Sequence, residues 1–158
     1  MGKVFFLHTR RTVAPTRKTL LPEQIDAELN RFKTALANVV AELKNAQGGT
    51  ADKMKDQAAI LAAHVMIAQD PKFSNGVEKR IVELRMNTEW ALDETLAEIN
   101  ALFSKIEDAY IRDTIREVYL VADRIMEQLS GYQRRQVILP PKAAVFAYDL
   151  SPADTLEL

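Results

Sequence analysis

The chain contains no cysteine, which removes disulfides, thiolate zinc sites and cysteine nucleophiles together and suits a reducing cytoplasm, the expected location. Only five glycines occur, none in a phosphate-cradling pattern. Charge of one sign is also missing. Lysine and arginine number 21 against 22 aspartates and glutamates, a net charge of −1, so no global field holds nucleic acid. No apolar run approaches the roughly 20 residues that cross a membrane, and no secretory signal pattern is expected at the start. What is present is ordinary for a globular chain: 158 residues, 47% hydrophobic and 27% charged. That is enough for one medium domain, or one domain and part of another.

The chain is organised around Ala58 to Phe73, AAILAAHVMIAQDPKF. Ala59, Ala62, Ala63 and Ala68 let a second helix approach closely, while Ile60, Leu61, Val65, Met66 and Ile67 spread apolar surface round most of the circumference. A helix apolar on more than one side needs cover on more than one side. A bundle core supplies the inner cover, and a partner protein is the candidate for the outer. Asp70 is placed to cap a following helix, with Pro71 at its first position, where the missing N–H costs nothing.

Around this run the helical period is sustained. Ile25, Leu29, Phe32, Leu36, Val39, Val40 and Leu43 form one amphipathic stripe, which Gly48-Gly49 ends. Thr50 caps the next helix, with Asp52 in its first turn, and that helix runs to about Gln69. A shorter helix spans Pro71 to about Met86 with Phe73, Val77, Ile81 and Leu84 inward. Asn87-Thr88 is the expected cap of a helix striped by Ala91, Leu92, Leu96, Ile99, Leu102, Phe103 and Ile106. A last helix carries Ile111, Ile115, Val118, Val121, Ala122, Ile125, Met126 and Leu129 and ends at Ser130-Gly131. The expected fold is mainly α, a bundle of about five helices in two hairpins.

The two ends follow another grammar. Gly2 to His8 reads as a short strand, followed by a basic connector containing Arg10, Arg11, Arg17 and Lys18. With no stacking aromatics or glycine loop beside it, the connector reads as a solvated loop rather than a phosphate site. Beyond Val137-Ile138-Leu139 and Pro140-Pro141, residues Ala143 to Leu150 read as a buried strand, and Ser151-Pro152-Ala153-Asp154 as a helix start. A lone strand needs a partner. The expected division is therefore residues 1–20 and 132–158 as parts of one α/β domain, with the helical unit, 21–131, inserted between them. His8 and His64 stand too far apart, and with no His-Glu pair at helix spacing, to suggest a metal site, and none is expected. On the residues alone, a second reading stands beside partner docking: a helical module for scaffolding or self-association.

An ordered series of segments resembles the N-terminal part of Enzyme I, the phosphoenolpyruvate–protein phosphotransferase family of bacterial sugar uptake. The segments are Gly2–Leu7, PEQIDAELNRF at Pro22–Phe32, QAAILAAHVMIAQDP at Gln57–Pro71, NTEWAL at Asn87–Leu92, AYIRD at Ala109–Asp113, RIMEQLSG at Arg124–Gly131 and VFAYDLSPADT at Val145–Thr155. The resemblance implies a helical unit inserted into a swivelling α/β domain and docking a histidine phosphocarrier protein. The family's phosphorylated histidine lies in a Gly-Gly-x-x-Ser-His segment expected beyond Leu158, so it implies no catalytic residue within this stretch. It also implies Mg²⁺ for the whole enzyme, no cofactor here, and a homodimer formed through a C-terminal domain outside this stretch. Neither nucleic acid nor membrane insertion is implied.

The positions that match the family's docking patch are Ile60, Ala63, His64, Met66, Ile67 and Phe73, with Phe103 and Ile111 from the second hairpin and Asp56 and Asp70 from the acidic rim. His64 matches the family's helical histidine, which resembles a docking-surface residue. Lys55, Ala62, Pro71 and Lys72 depart from the family, which often has glutamate there. Thr114 to Leu120 replaces a familiar arginine-and-aspartate pattern.

Overall fold

The computed structural model describes residues 4–7, 15–48, 55–131 and 144–147. A single 3₁₀ turn at Pro22–Gln24 leads into helix α1, Ile25–Gly48. Helices α2, Lys55–Ala68, and α3, Pro71–Leu84, follow, then α4, Thr88–Phe103, and α5, Ala109–Ser130. Two short strands flank them: β1, Val4–Leu7, and β2, Ala144–Ala147. The expected Thr50 cap, His8, Arg10, Arg11, the Val137 to Pro141 run and the Ser151 helix start fall outside the described residues.

The strands pair with each other in parallel, Val4 opposite Ala144 and Leu7 opposite Ala147. The whole bundle therefore lies between two paired strands, as the need of each for a partner requires.

The core is built from the stripes. Phe32, Val39 and Leu43 of α1 meet Leu61 and Val65 of α2, Phe73, Val77 and Ile81 of α3, Leu92 and Leu96 of α4, and Val121 and Ile125 of α5. α3 begins as its sequence dictates: Pro71 occupies the first turn and the Asp70 carboxylate accepts the Lys72 amide at 2.8 Å. Its end comes earlier than the periodicity suggests. Arg85 takes the left-handed conformation, φ 52°, and the Met86 amide folds back onto the Arg80 carbonyl at 3.2 Å. Leu84, read as inward, is consequently 57% exposed. The same correction applies to Leu102, Phe103 and Ile106, which sit at the tip where α4 turns into α5 and remain exposed. At Gly131 the α5 helix closes with φ 68°, a conformation glycine adopts without a Cβ clash.

The base of the bundle holds a hydrogen-bonded network that no local pattern announced. Asn87 has the backbone geometry of a cap but makes no cap hydrogen bond. Its side chain donates to the Thr16 carbonyl at 2.8 Å and to Glu89 at 2.9 Å, and accepts the Lys18 amide at 2.9 Å. The α4 N-terminus is instead met by Glu28 of α1, which accepts the Thr88 amide at 2.7 Å. Arg31 joins the set, pairing with Glu89, donating to Glu28 at 2.9 Å and to the Leu129 carbonyl at 3.1 Å. Thr19 bridges Met86 in antiparallel fashion, and the Leu20 amide donates to the Arg85 carbonyl at 2.7 Å.

Candidate docking face

Helix α2 places two different faces. Leu61, His64, Val65 and Ala68 turn inward and are buried. Asp56, Ala59, Ile60, Ala63, Met66 and Asp70 recur at three- and four-residue spacing on the other side and are exposed, Met66 to 73%. The outer face is thus an apolar strip with a carboxylate at each end. Ile67 lies between the two faces and packs partly against the core.

Two of the expected docking residues lie elsewhere. Phe73 is in the core because the Asp70-Pro71 turn sets the α3 stripe of Phe73, Val77 and Ile81 inward. His64 is also wholly buried; its Nε2 meets the Glu117 carboxylate of α5, while its Nδ1 is buried with no hydrogen-bond partner. Neither ring nitrogen is offered to a docking protein. Ile111 is half-buried, and Phe103 is exposed at the tip of the second hairpin.

The tip also carries apolar residues that the docking list omits. Leu102, Ile106 and Tyr110, the last 79% exposed, surround the turn from α4 into α5. The signal was legible: the α4 stripe runs on into Lys105 to Asp108, a turn segment no further helix covers. The tip begins α5 with its own cap, the Asp108 carboxylate accepting the Tyr110 amide at 2.8 Å.

The charges on these segments are mixed. Asp56, Asp70, Glu107 and Asp113 are exposed, and so are Lys72, Lys105 and Arg112. Arg17, from the basic connector, is engaged within the chain. Its guanidinium lies 5.7 Å from the Trp90 ring centroid and 3.4 Å from Glu94. A solvated loop describes that residue incompletely; it is a strap onto α4. Among the described residues, no three histidine, aspartate or glutamate side chains come together as a metal site would require.

The family profile described as PEP-utilising enzyme, N-terminal, matches residues 1–113. The chain belongs to this family. A phosphoenolpyruvate-protein phosphotransferase of Bacillus sp. (strain S) is 28% identical over 160 aligned residues, covering all of this chain and 27% of the relative. One from Cupriavidus necator is 34% identical over 149, covering 85% of this chain and 25% of the relative. The chain thus spans about a quarter of the length of those relatives. The solution structure of Enzyme I (nEIt) matches 99% of the chain and 64% of its own, at 25% identity and a TM-score of 0.84. The N-terminal domain of Enzyme 1 - Nitrogen matches at 16% identity and a TM-score of 0.71, an agreement of fold. No helix among the described residues is long and apolar enough to cross a membrane.

Proposed function

We propose that this chain is the N-terminal part of a cytoplasmic phosphoenolpyruvate–protein phosphotransferase, and that its helical unit, residues 21–131, docks a histidine phosphocarrier protein for phosphoryl relay. The observation that carries the reading is the exposed apolar strip of α2, with Ile60, Ala63 and Met66 between Asp56 and Asp70. A carrier must bind, react and leave, and a small apolar centre inside a charged rim suits such a transient contact. Methionine fits this role because its flexible, polarisable chain adapts to a partner surface. Phe103, Leu102 and Tyr110 at the tip of the second hairpin extend the candidate face. Any phosphoenolpyruvate and Mg²⁺ sites of the whole enzyme are assigned to its other parts, as is dimer formation.

The mixed rim sets the partner's chemistry. Charge complementarity governs association rate and partner choice more than affinity. Lys72, Lys105 and Arg112 stand among the exposed carboxylates, so the cognate carrier presents a less basic face than the family's usual one. The test is titration of the organism's own histidine phosphocarrier into isotope-labelled chain, followed by NMR. Perturbations confined to Asp56–Asp70 and Leu102–Thr114 are expected. Perturbations elsewhere, or no binding at millimolar concentration, overturn the reading.

A further inference from the structure

Helix α2 poses a problem of rotation. The other four helices concentrate their apolar residues on one side, but on α2 these residues spread almost evenly round the axis. Hydrophobic burial therefore gives nearly the same return whether Leu61 and Val65 or Ile60 and Met66 turn inward. The structure nonetheless selects one answer: Leu61 is buried and Met66 is not. Something directional must decide.

His64 has the required character. It is a titratable side chain fully enclosed in the bundle, and Nε2 meets Glu117 across the gap to α5. An ionised carboxylate only accepts, so Nε2 carries the proton and donates. Nδ1 is left buried with no partner, an arrangement that costs free energy. An apolar side chain of similar size would fill the site without that cost. What the histidine adds is a bond that exists at one rotation of the helix and is lost at any other. Ile60 and Ile67 lie one turn to either side of it, at the margin between the buried and exposed faces.

We propose that Glu117 is a positioning residue: acting through His64 Nε2, it fixes the rotation of α2 and so presents Ile60, Ala63 and Met66 outward. The proposal rests on the docking reading for its consequence, though not for its geometry. Buried polar contacts that select one register at some cost in stability have precedent in helical assemblies.

The experiment uses the 158-residue chain and four proteins: wild type, E117A, E117Q and H64L. Two readouts are taken. Broadening of the Met66 and Val65 methyl signals by a soluble paramagnetic agent reports which face of α2 is outward. Titration with the organism's histidine phosphocarrier reports docking. Wild type and E117Q, whose amide oxygen also accepts from Nε2, should show strong broadening at Met66 and little at Val65, and should bind within about twofold of each other. E117A should lose the contrast between the two methyls and bind about tenfold more weakly, the scale of one hydrogen bond to a charged group. H64L leaves no buried nitrogen unpaired and should fold at least as stably while losing the same contrast. It carries the test if E117A fails to fold. A folded E117A or H64L that retains the wild-type pattern at Met66 and Val65 overturns the proposal. Loss of contrast in the variants, with no phosphocarrier binding by wild type, supports the positioning role and defeats the docking reading instead.

Discussion

The side-chain oxygen of Asn87 accepts the backbone amide of Lys18 at 2.9 Å, across 69 residues of sequence. With the Nδ2 bond to the Thr16 carbonyl, this makes Asn87 the staple that joins the incoming chain to the start of α4. Replacing it with alanine removes three hydrogen bonds from a buried position and should cost about 2–4 kcal/mol. Serine is a better test of mechanism, since it restores a helix cap without the staple. N87S should recover at most about 1 kcal/mol. Chemical denaturation measures both variants. Hydrogen exchange at the Lys18 amide should accelerate in both, and protection retained in N87S would contradict the staple.

The Arg31–Glu89 pair at the same base makes stability depend on pH. Burial pushes the Glu89 carboxyl up, but the hydrogen bond from Arg31, joined by Glu89's own backbone amide, the Arg31 charge and Asn87, outweighs it and holds the carboxyl below its ordinary value of 4.5. Arg31 is raised in turn, chiefly by its bond to Glu89. A carboxyl depressed on folding contributes stability that is complete above the unfolded value and is lost as pH falls through the folded one. The stability gap between wild type and E89Q should therefore be widest above about pH 4.5 and close on acidification. Thermal unfolding across pH 2–7 checks it, and a gap that does not narrow refutes the pairing.

Arg85 holds a left-handed conformation, φ 52°, that side chains other than glycine adopt at a cost. R85G should raise stability by roughly 0.5–1 kcal/mol, because the bonds made there, Met86 to Arg80 and Leu20 to Arg85, use backbone atoms alone. Thermal unfolding of the variant decides the sign.

The opposite settings of Met66 and Phe73 separate docking from folding. M66A should leave the unfolding midpoint nearly unchanged while weakening phosphocarrier binding by about 1–2 kcal/mol. F73A should destabilise the fold by about 3–5 kcal/mol. A large stability loss in M66A would mean that the α2 strip is packed against something within the chain.

Much of this architecture was legible because its causes are local. The stripes of α1 and α5, the Asp70-Pro71 cap and the glycine end of α5 each follow from residues within a few positions of one another. The pairing of the terminal strands also followed, since unpaired backbone must find a partner. What escaped was nonlocal. Glu28 meets the Thr88 amide from 60 residues away, and nothing in the vicinity of Asn87 says that it reaches back to Thr16. His64 was assigned to the docking face by its match to the family's helical histidine, and α2, with no apolar asymmetry, offers no local pattern to correct that choice. Phe73 entered the same list as a family match, although the α3 stripe had already read it as inward, where the structure buries it.

The parallel register of β1 and β2 has a kinetic consequence. Val4 and Ala144 stand about 140 residues apart, and closing so long an unstructured loop costs about 4 kcal/mol beyond a constant. Two strands of four residues each cannot recover that alone. Once the helices have packed, however, Asn87 holds the chain at Thr16 and Lys18, and Arg31 holds the end of α5 at Leu129. Only the stretches from Leu7 to Thr16 and from Leu129 to Ala144 then remain to be closed. The bundle thereby acts as an internal template. On loop-closure entropy alone, strand pairing is expected to follow helix packing, because the packed bundle shortens the chain that remains to be closed.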